Sequence, residues 1–136
     1  LLTLDEYGKI NFITVKGKNN FGELFPELEN PSHQIDCDKK SIYHAWCVMS
    51  GNFTTLLWSS FFQFLEKDLK LPKEISFQYL NQIKENLQTT ADPLTGPIAR
   101  NDVKTIEKHL TELENTKHKN IYKAFVNTYG KDKRDE

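Results

Sequence analysis

From Ser41 to Leu65 the chain reads SIYHAWCVMSGNFTTLLWSSFFQFL, without one Asp, Glu, Lys or Arg. Charged residues make up 27% of the chain, so a gap of this length constrains the fold strongly. As a helix the run would be roughly 37 Å long, enough to cross a bilayer. Its content argues against a membrane. His44, Asn52, Gln63, Ser50, Ser59, Ser60, Thr54 and Thr55 interrupt the apolar residues, and polar groups are costly to insert. The downstream sequence offers no second span. A helix apolar nearly all round belongs instead at the centre of a large bundle or in a subunit interface. Ser50, Gly51, Thr54 and Thr55 lack bulk and would let another helix approach closely.

The 136 residues, 38% hydrophobic with a net charge of -1, suit one soluble globular domain. A nucleic-acid binder would carry a basic excess, which is missing. The closing GKDKRDE mixes both signs and reads as a solvated tail. Cys37 and Cys47 form no C-x-x-C pair, so neither a metal site nor a redox dithiol is suggested. Two buried thiols in a reducing cytoplasm is the expectation. The opening LLTLDEYGKI lacks an initiator Met and the pattern of a signal peptide, and reads as the middle of a longer protein.

Ile10, Phe12, Ile13 and Val15, ended by Gly17, predict a strand. Phe21, Leu24, Phe25 and Leu28 predict a short amphipathic helix, with Pro26 tolerated near its first turn. SHQIDCD reads as a second strand. Strand, helix, strand favours parallel pairing with a right-handed crossover, and two such strands look like the edge of a larger α/β sheet. Thereafter the chain is helical: Lys40 to Leu69 as one helix or two closely joined, then a helix opening near Pro72. After a Pro- and Gly-rich break, Asn101 or Asp102 caps a helix bearing Val103, Ile106, Leu110 and Leu113. A last helix runs from about His118 to Tyr129, with Gly130 placed to terminate it.

Two places hold polar groups that the packing pattern does not require. His44 and Asn52 lie eight residues apart, two turns along one helix face. Either they bond neighbouring backbone and pin the packing, or they face a cleft and hold a ligand amide or carbonyl, for which Asn offers donor and acceptor. The second place is LTGPIARND. Gly96 permits an unusual backbone, Pro97 suits a helix start, and Thr95 can present its hydroxyl. Arg100, one turn on, can grip a carboxylate or phosphate, so the stretch is a candidate anion cradle. The alternative is a tight connector in which Arg100 pairs with an acid such as Asp102.

YHAWCVMSGNF, ENL and LTGPIARNDVKTIEKHL together resemble a C-terminal domain of unknown function that follows a Rossmann-like dinucleotide-binding domain in many bacterial proteins. That family is similar to the 6-phosphogluconate dehydrogenase, ketopantoate reductase and pyrroline-5-carboxylate reductase superfamily. The match covers about Lys39 to Tyr129, and LTGPIAR with the later Asp and HL is its most specific part. The resemblance implies a mainly α protein: a helical 6-phosphogluconate dehydrogenase C-terminal-like domain over 39–130, preceded over 1–38 by a small β-α-β remnant of a Rossmann-like domain, with a tail over 131–136. It points to Tyr43, His44, Asn52, Asn86, Thr95, Gly96, Pro97, Arg100, Asp102 and His109.

The resemblance further implies an NAD(P)-dependent oxidoreductase whose helical part commonly dimerises and closes the cleft. Two departures follow from the residues. The fingerprint G-x-G-x-x-G is absent, so NADP or NAD would be held by the intact protein and not by this chain alone. Related enzymes place a catalytic Lys one turn before the helix Asn, where this chain has Val48. His44, one turn further back, is then the candidate proton donor, because imidazole titrates near neutrality. The expectation is a cytoplasmic homodimer with His44 and Asn52 in catalytic roles, Asn86, Thr95, Gly96 and Arg100 binding a small substrate, and no metal, nucleic acid or membrane. His109, beside Lys108 on an amphipathic helix, is expected to face solvent or pack locally. The rival expectation is a non-catalytic module that dimerises or binds a metabolite.

Overall fold

A computed structural model describes residues 3–130, so the tail expected over 131–136 lies outside the described residues. The chain divides into two compact units, residues 1–73 and 74–136. It is mainly α-helical, with two short parallel strands.

In the first unit, α1 (Leu4–Tyr7) leads into β1 (Phe12–Val15), α2 (Phe21–Leu24) and β2 (Ser32–Ile35). The β-branched and aromatic residues of β1 suit a pleated strand. The strands pair in parallel, Phe12 opposite Ser32 and Val15 opposite Ile35, as the short crossover requires. Asn30 donates from Nδ2 to the Tyr7 and Ile10 carbonyls, fastening the approach to β2 against the α1–β1 turn. Phe21 is buried, stacked on Phe12 at 4.5 Å and tilted against Phe25 at 5.3 Å, the beginnings of a core beside the sheet.

The α2 helix is shorter than the apolar spacing predicts. Its start is fixed by a capping box: Asn20 accepts from the Glu23 amide, and Glu23 accepts from the Asn20 amide. Its end is fixed by Pro26. The residue before a proline is excluded from helical geometry, and Phe25 adopts φ -135°, ψ 68°.

A 3₁₀ turn (Cys37–Lys39) opens one continuous helical run: α3 (Lys40–Cys47), a π-helical segment (Val48–Phe53) and α4 (Thr54–Lys67). It ends without glycine. Lys70 takes a left-handed φ of 58°, Leu71 N–H reaches back to the Leu65 carbonyl, and Lys70 Nζ donates to the Lys67 carbonyl. Of the two expected settings, the centre of a bundle within the chain is not what the described residues provide. Within Ser41–Leu65 only Leu65 is buried, while Trp46 is 58% and Leu56 64% exposed. Cys37 and Cys47, expected buried, are exposed free thiols on this same run.

A 3₁₀ turn (Lys73–Ser76) begins at the last residue of the first unit and precedes α5 (Phe77–Thr89) of the second, so the helix begins a turn later than Pro72 suggests. A connector leads to α6 (Val103–Glu112) and α7 (His118–Tyr129). Asp102 caps α6, its carboxylate accepting from the Thr105 amide and hydroxyl. Ile106 on the apolar face of α6 is buried. Gly130 does end α7, but through space and not through a left-handed backbone: its φ is -67°, and a Cβ there would lie 2.5 Å from the Val126 carbonyl oxygen. Among the described residues no helix is long and apolar enough to cross a membrane.

Candidate functional site

In the first unit, the α3–π–α4 run positions His44 and Asn52. On an ideal α-helix eight residues overshoot two turns by roughly 80°. A π-helical turn closes its hydrogen bonds over five residues and so takes more residues per turn. The Val48–Phe53 segment therefore reduces the overshoot and brings His44 and Asn52 nearer a common face than α geometry would. Small residues accompany this change of pitch. The Ser50 hydroxyl donates to the Trp46 carbonyl at 2.8 Å, and the Thr55 hydroxyl to the Gly51 carbonyl at 2.9 Å.

Both polar side chains are exposed, and neither makes a hydrogen bond among the described residues. Bonds to neighbouring backbone, one of the two sequence alternatives, do not account for them. Val48 opens the π segment. Tyr43 lies one turn before Cys47, and interaction with the Cys47 side chain, with smaller contributions from desolvation and charge, raises the Tyr43 pKa.

The second unit holds the other residues. Gly96 has φ +92°, the left-handed region that favours glycine, with no atom near the position of a Cβ. Pro97–Asn101 form consecutive turns, not a helix start. The Arg100, Asn101 and Asp102 amides donate to the Gly96, Ile98 and Pro97 carbonyls, and the Asp102 side chain takes the Thr105 amide of α6. The Ile98 and Ala99 amides take no part in these bonds. The connector alternative is incomplete. Asp102 binds Thr105, and no carboxylate lies within ion-pair distance of the exposed Arg100 among the described residues. The Thr105 hydroxyl and amide hold Asp102 below its usual pKa, with lesser help from the charges of Arg100 and His109.

His109 packs locally. Its Nδ1 is 2.9 Å from the Tyr122 hydroxyl, and the two partly buried rings meet edge to face. Burial raises the Tyr122 pKa.

Asn86 and Thr95 are brought together. They share an open groove of about 310 Å³ with Gln82 and Ile83 of α5 and with Pro93 and Leu94 of the connector. Gln82 was not singled out in the sequence, although its spacing of four from Asn86 puts both amides on one face of a helix. Gly96 adjoins the groove in sequence, and Arg100 is not part of its lining.

The chain's own residues do not fit a dinucleotide. The turn from β1 to α2 holds Gly17 but no glycine-rich fingerprint, and the Asn20–Glu23 capping box already engages the start of the one-turn α2. Among the described residues no group of three or more His, Cys, Asp or Glu could hold a metal.

The family model for the domain of unknown function DUF2520 matches residues 16–128, and the chain belongs to that family. The fold is shared with a protein of Bacteroides fragilis, BF3122, whose crystal structure is described as that of a "putative NADP oxidoreductase". The TM-score is 0.66 at 20% sequence identity, over 79% of this chain and 42% of that one. The chain thus spans under half the length of that protein. No curated protein matches the sequence.

Proposed function

We propose that this chain is the helical, substrate-side part of an NAD(P)-dependent oxidoreductase of the wider 6-phosphogluconate dehydrogenase type. The reaction class is hydride transfer to or from a small carbonyl, imine or hydroxy acid, with NADP or NAD held by polypeptide other than the residues described here. In this reading residues 1–38 complete a Rossmann-like domain, and 39–130 form the helical domain, which also carries a homodimer interface. His44 exchanges the substrate proton and Asn52 orients the reacting carbonyl or amide. Asn86, Thr95, Gly96 and Arg100 hold the rest of the substrate. The setting is a bacterial cytoplasm, in keeping with two unpaired exposed thiols.

The observation that carries the reading is the pairing of His44 with Asn52 on a helix whose pitch changes between them. Both polar side chains are open to solvent on an otherwise uncharged helical run and so available to a ligand, and π-helical turns recur at functional sites. The B. fragilis neighbour supports the class by its description alone.

The test is turnover by the longest natural protein that contains this chain, supplied with NADPH and a panel of keto acids and imines. Cofactor oxidation that falls at least a hundredfold in His44→Ala supports the assignment. Oxidation unchanged in His44→Ala and Asn52→Leu removes those residues from the chemistry. The second reading, a non-catalytic dimerisation or metabolite-binding module, is favoured by the breadth of exposed apolar surface on α3 and α4. It prevails if the protein associates or binds a metabolite but never oxidises cofactor.

A further inference from the structure

The geometry points to the groove between α5 and the Pro93–Thr95 connector as a binding site for a neutral carboxamide or lactam carried on an apolar ring. This deepens the substrate-side reading of Asn86 and Thr95, and it can stand or fail apart from hydride transfer.

The polar edge fixes the class of ligand. Gln82 Nε2 donates to Asn86 Oδ1 at 3.0 Å, across one turn of α5. That bond uses one of the two Gln82 N–H donors and one lone pair of the Asn86 oxygen. It leaves Asn86 Nδ2 as a donor beside Gln82 Oε1 as an acceptor. A carboxamide presents the complementary pair, its carbonyl accepting from Asn86 and its N–H donating to Gln82. The Thr95 hydroxyl, on the opposite wall, makes no hydrogen bond among the described residues and can serve either atom.

Charge excludes the competitors. No charged residue lines the groove. A carboxylate or phosphate would meet no counter-charge among the lining residues and would leave the Gln82 acceptor unused. An amide loses less on desolvation and finds both partners already held by their mutual bond. The apolar walls, Ile83, Leu94 and Pro93, suit the face of a ring, and about 310 Å³ lies in the range of small-molecule sites.

The probe is benzamide, with benzoate as its anionic counterpart of the same shape. Titration of the isotope-labelled chain, followed by NMR, should shift the side-chain NH₂ signals of Asn86 and Gln82 with benzamide and bind benzoate at least tenfold more weakly. Asn86→Leu, which keeps the side-chain shape, should weaken benzamide at least tenfold, and Thr95→Val should weaken it by a smaller factor. Thr95→Val also carries the test if Asn86→Leu fails to fold. Equal binding of the two probes, shifts confined to other residues, or no saturable shift with benzamide overturns the inference. Benzamide binding without cofactor oxidation in the longer protein leaves the groove and removes the oxidoreductase; oxidation without benzamide binding does the reverse.

Discussion

His109 Nδ1 sits 2.9 Å from the Tyr122 hydroxyl, joining α6 to α7 by a bond between side chains thirteen residues apart. The rings also meet edge to face at 5.6 Å, so the pair combines a hydrogen bond with an aromatic contact. Tyr122→Phe removes the first and keeps the second. The expected loss is about 1 kcal/mol, the usual net worth of one such bond. His109→Ala removes both and should cost more, about 2 kcal/mol, once the lost ring packing is included. Urea unfolding of both variants measures the difference. Equal losses would mean that the ring contact contributes nothing.

Asp102 makes the fold sensitive to acid. Its carboxylate is held below the usual range by the Thr105 hydroxyl and amide, so the folded state favours the ionised form. A depressed pKa contributes stability that is present above the unfolded value, near pH 4, and lost as pH falls through the folded one. Wild-type urea midpoints should therefore drop as pH is lowered from 5 to about 2.5. Asp102→Asn retains an acceptor for the Thr105 amide but cannot titrate, so its midpoint should change less over that interval. Parallel curves for the two proteins would show that other carboxylates set the acid limit.

Two residues in the connector carry a backbone that side chains resist. Gly96 has φ +92°, and Asn101 has φ +52°. Gly96→Ala meets no neighbouring atom, so its cost is conformational, about 1–2 kcal/mol. Asn101→Gly should be close to neutral, whereas Asn101→Val should cost at least 1 kcal/mol, because a β-branched residue tolerates the left-handed region least. Thermal melts rank the three variants. A Gly96→Ala protein as stable as wild type would mean that the connector adopts another backbone in solution.

Much of this fold was legible in the sequence because its elements carry local signals. The parallel β-α-β edge, the helical run from Lys40, the Asp102 cap and the bounds of α7 all follow from patterning and capping residues. What was not legible depends on what a helix meets. Apolar periodicity marks the face of α3 and α4 that resists water, but does not say what covers it, hence the exposed Trp46 and Leu56 and the exposed thiols. The π-helical segment leaves no periodic trace in six residues. In LTGPIARND the residue types suggested a helix start with open amides. The chain instead makes successive turns there through the Arg100, Asn101 and Asp102 amides, and Thr95 lines a groove with Asn86 and Gln82.

The apolar face of α3 and α4 gives the last prediction. Ile42 and Trp46 of α3, Met49 and Phe53 of the π-helical segment and Leu56 of α4 are each 44–64% exposed along one helical run. Clusters of this extent on a folded surface mark interaction sites. If the face joins two copies, sedimentation should find a dimer at micromolar concentration, and Trp46→Glu should dissociate it. An exposed position changes the stability of the fold itself by about 0.5 kcal/mol or less when mutated. The variant should thus remain folded as a monomer, with a urea midpoint that no longer depends on protein concentration. A wild-type chain that stays monomeric across the same range would show that this face does not join two copies.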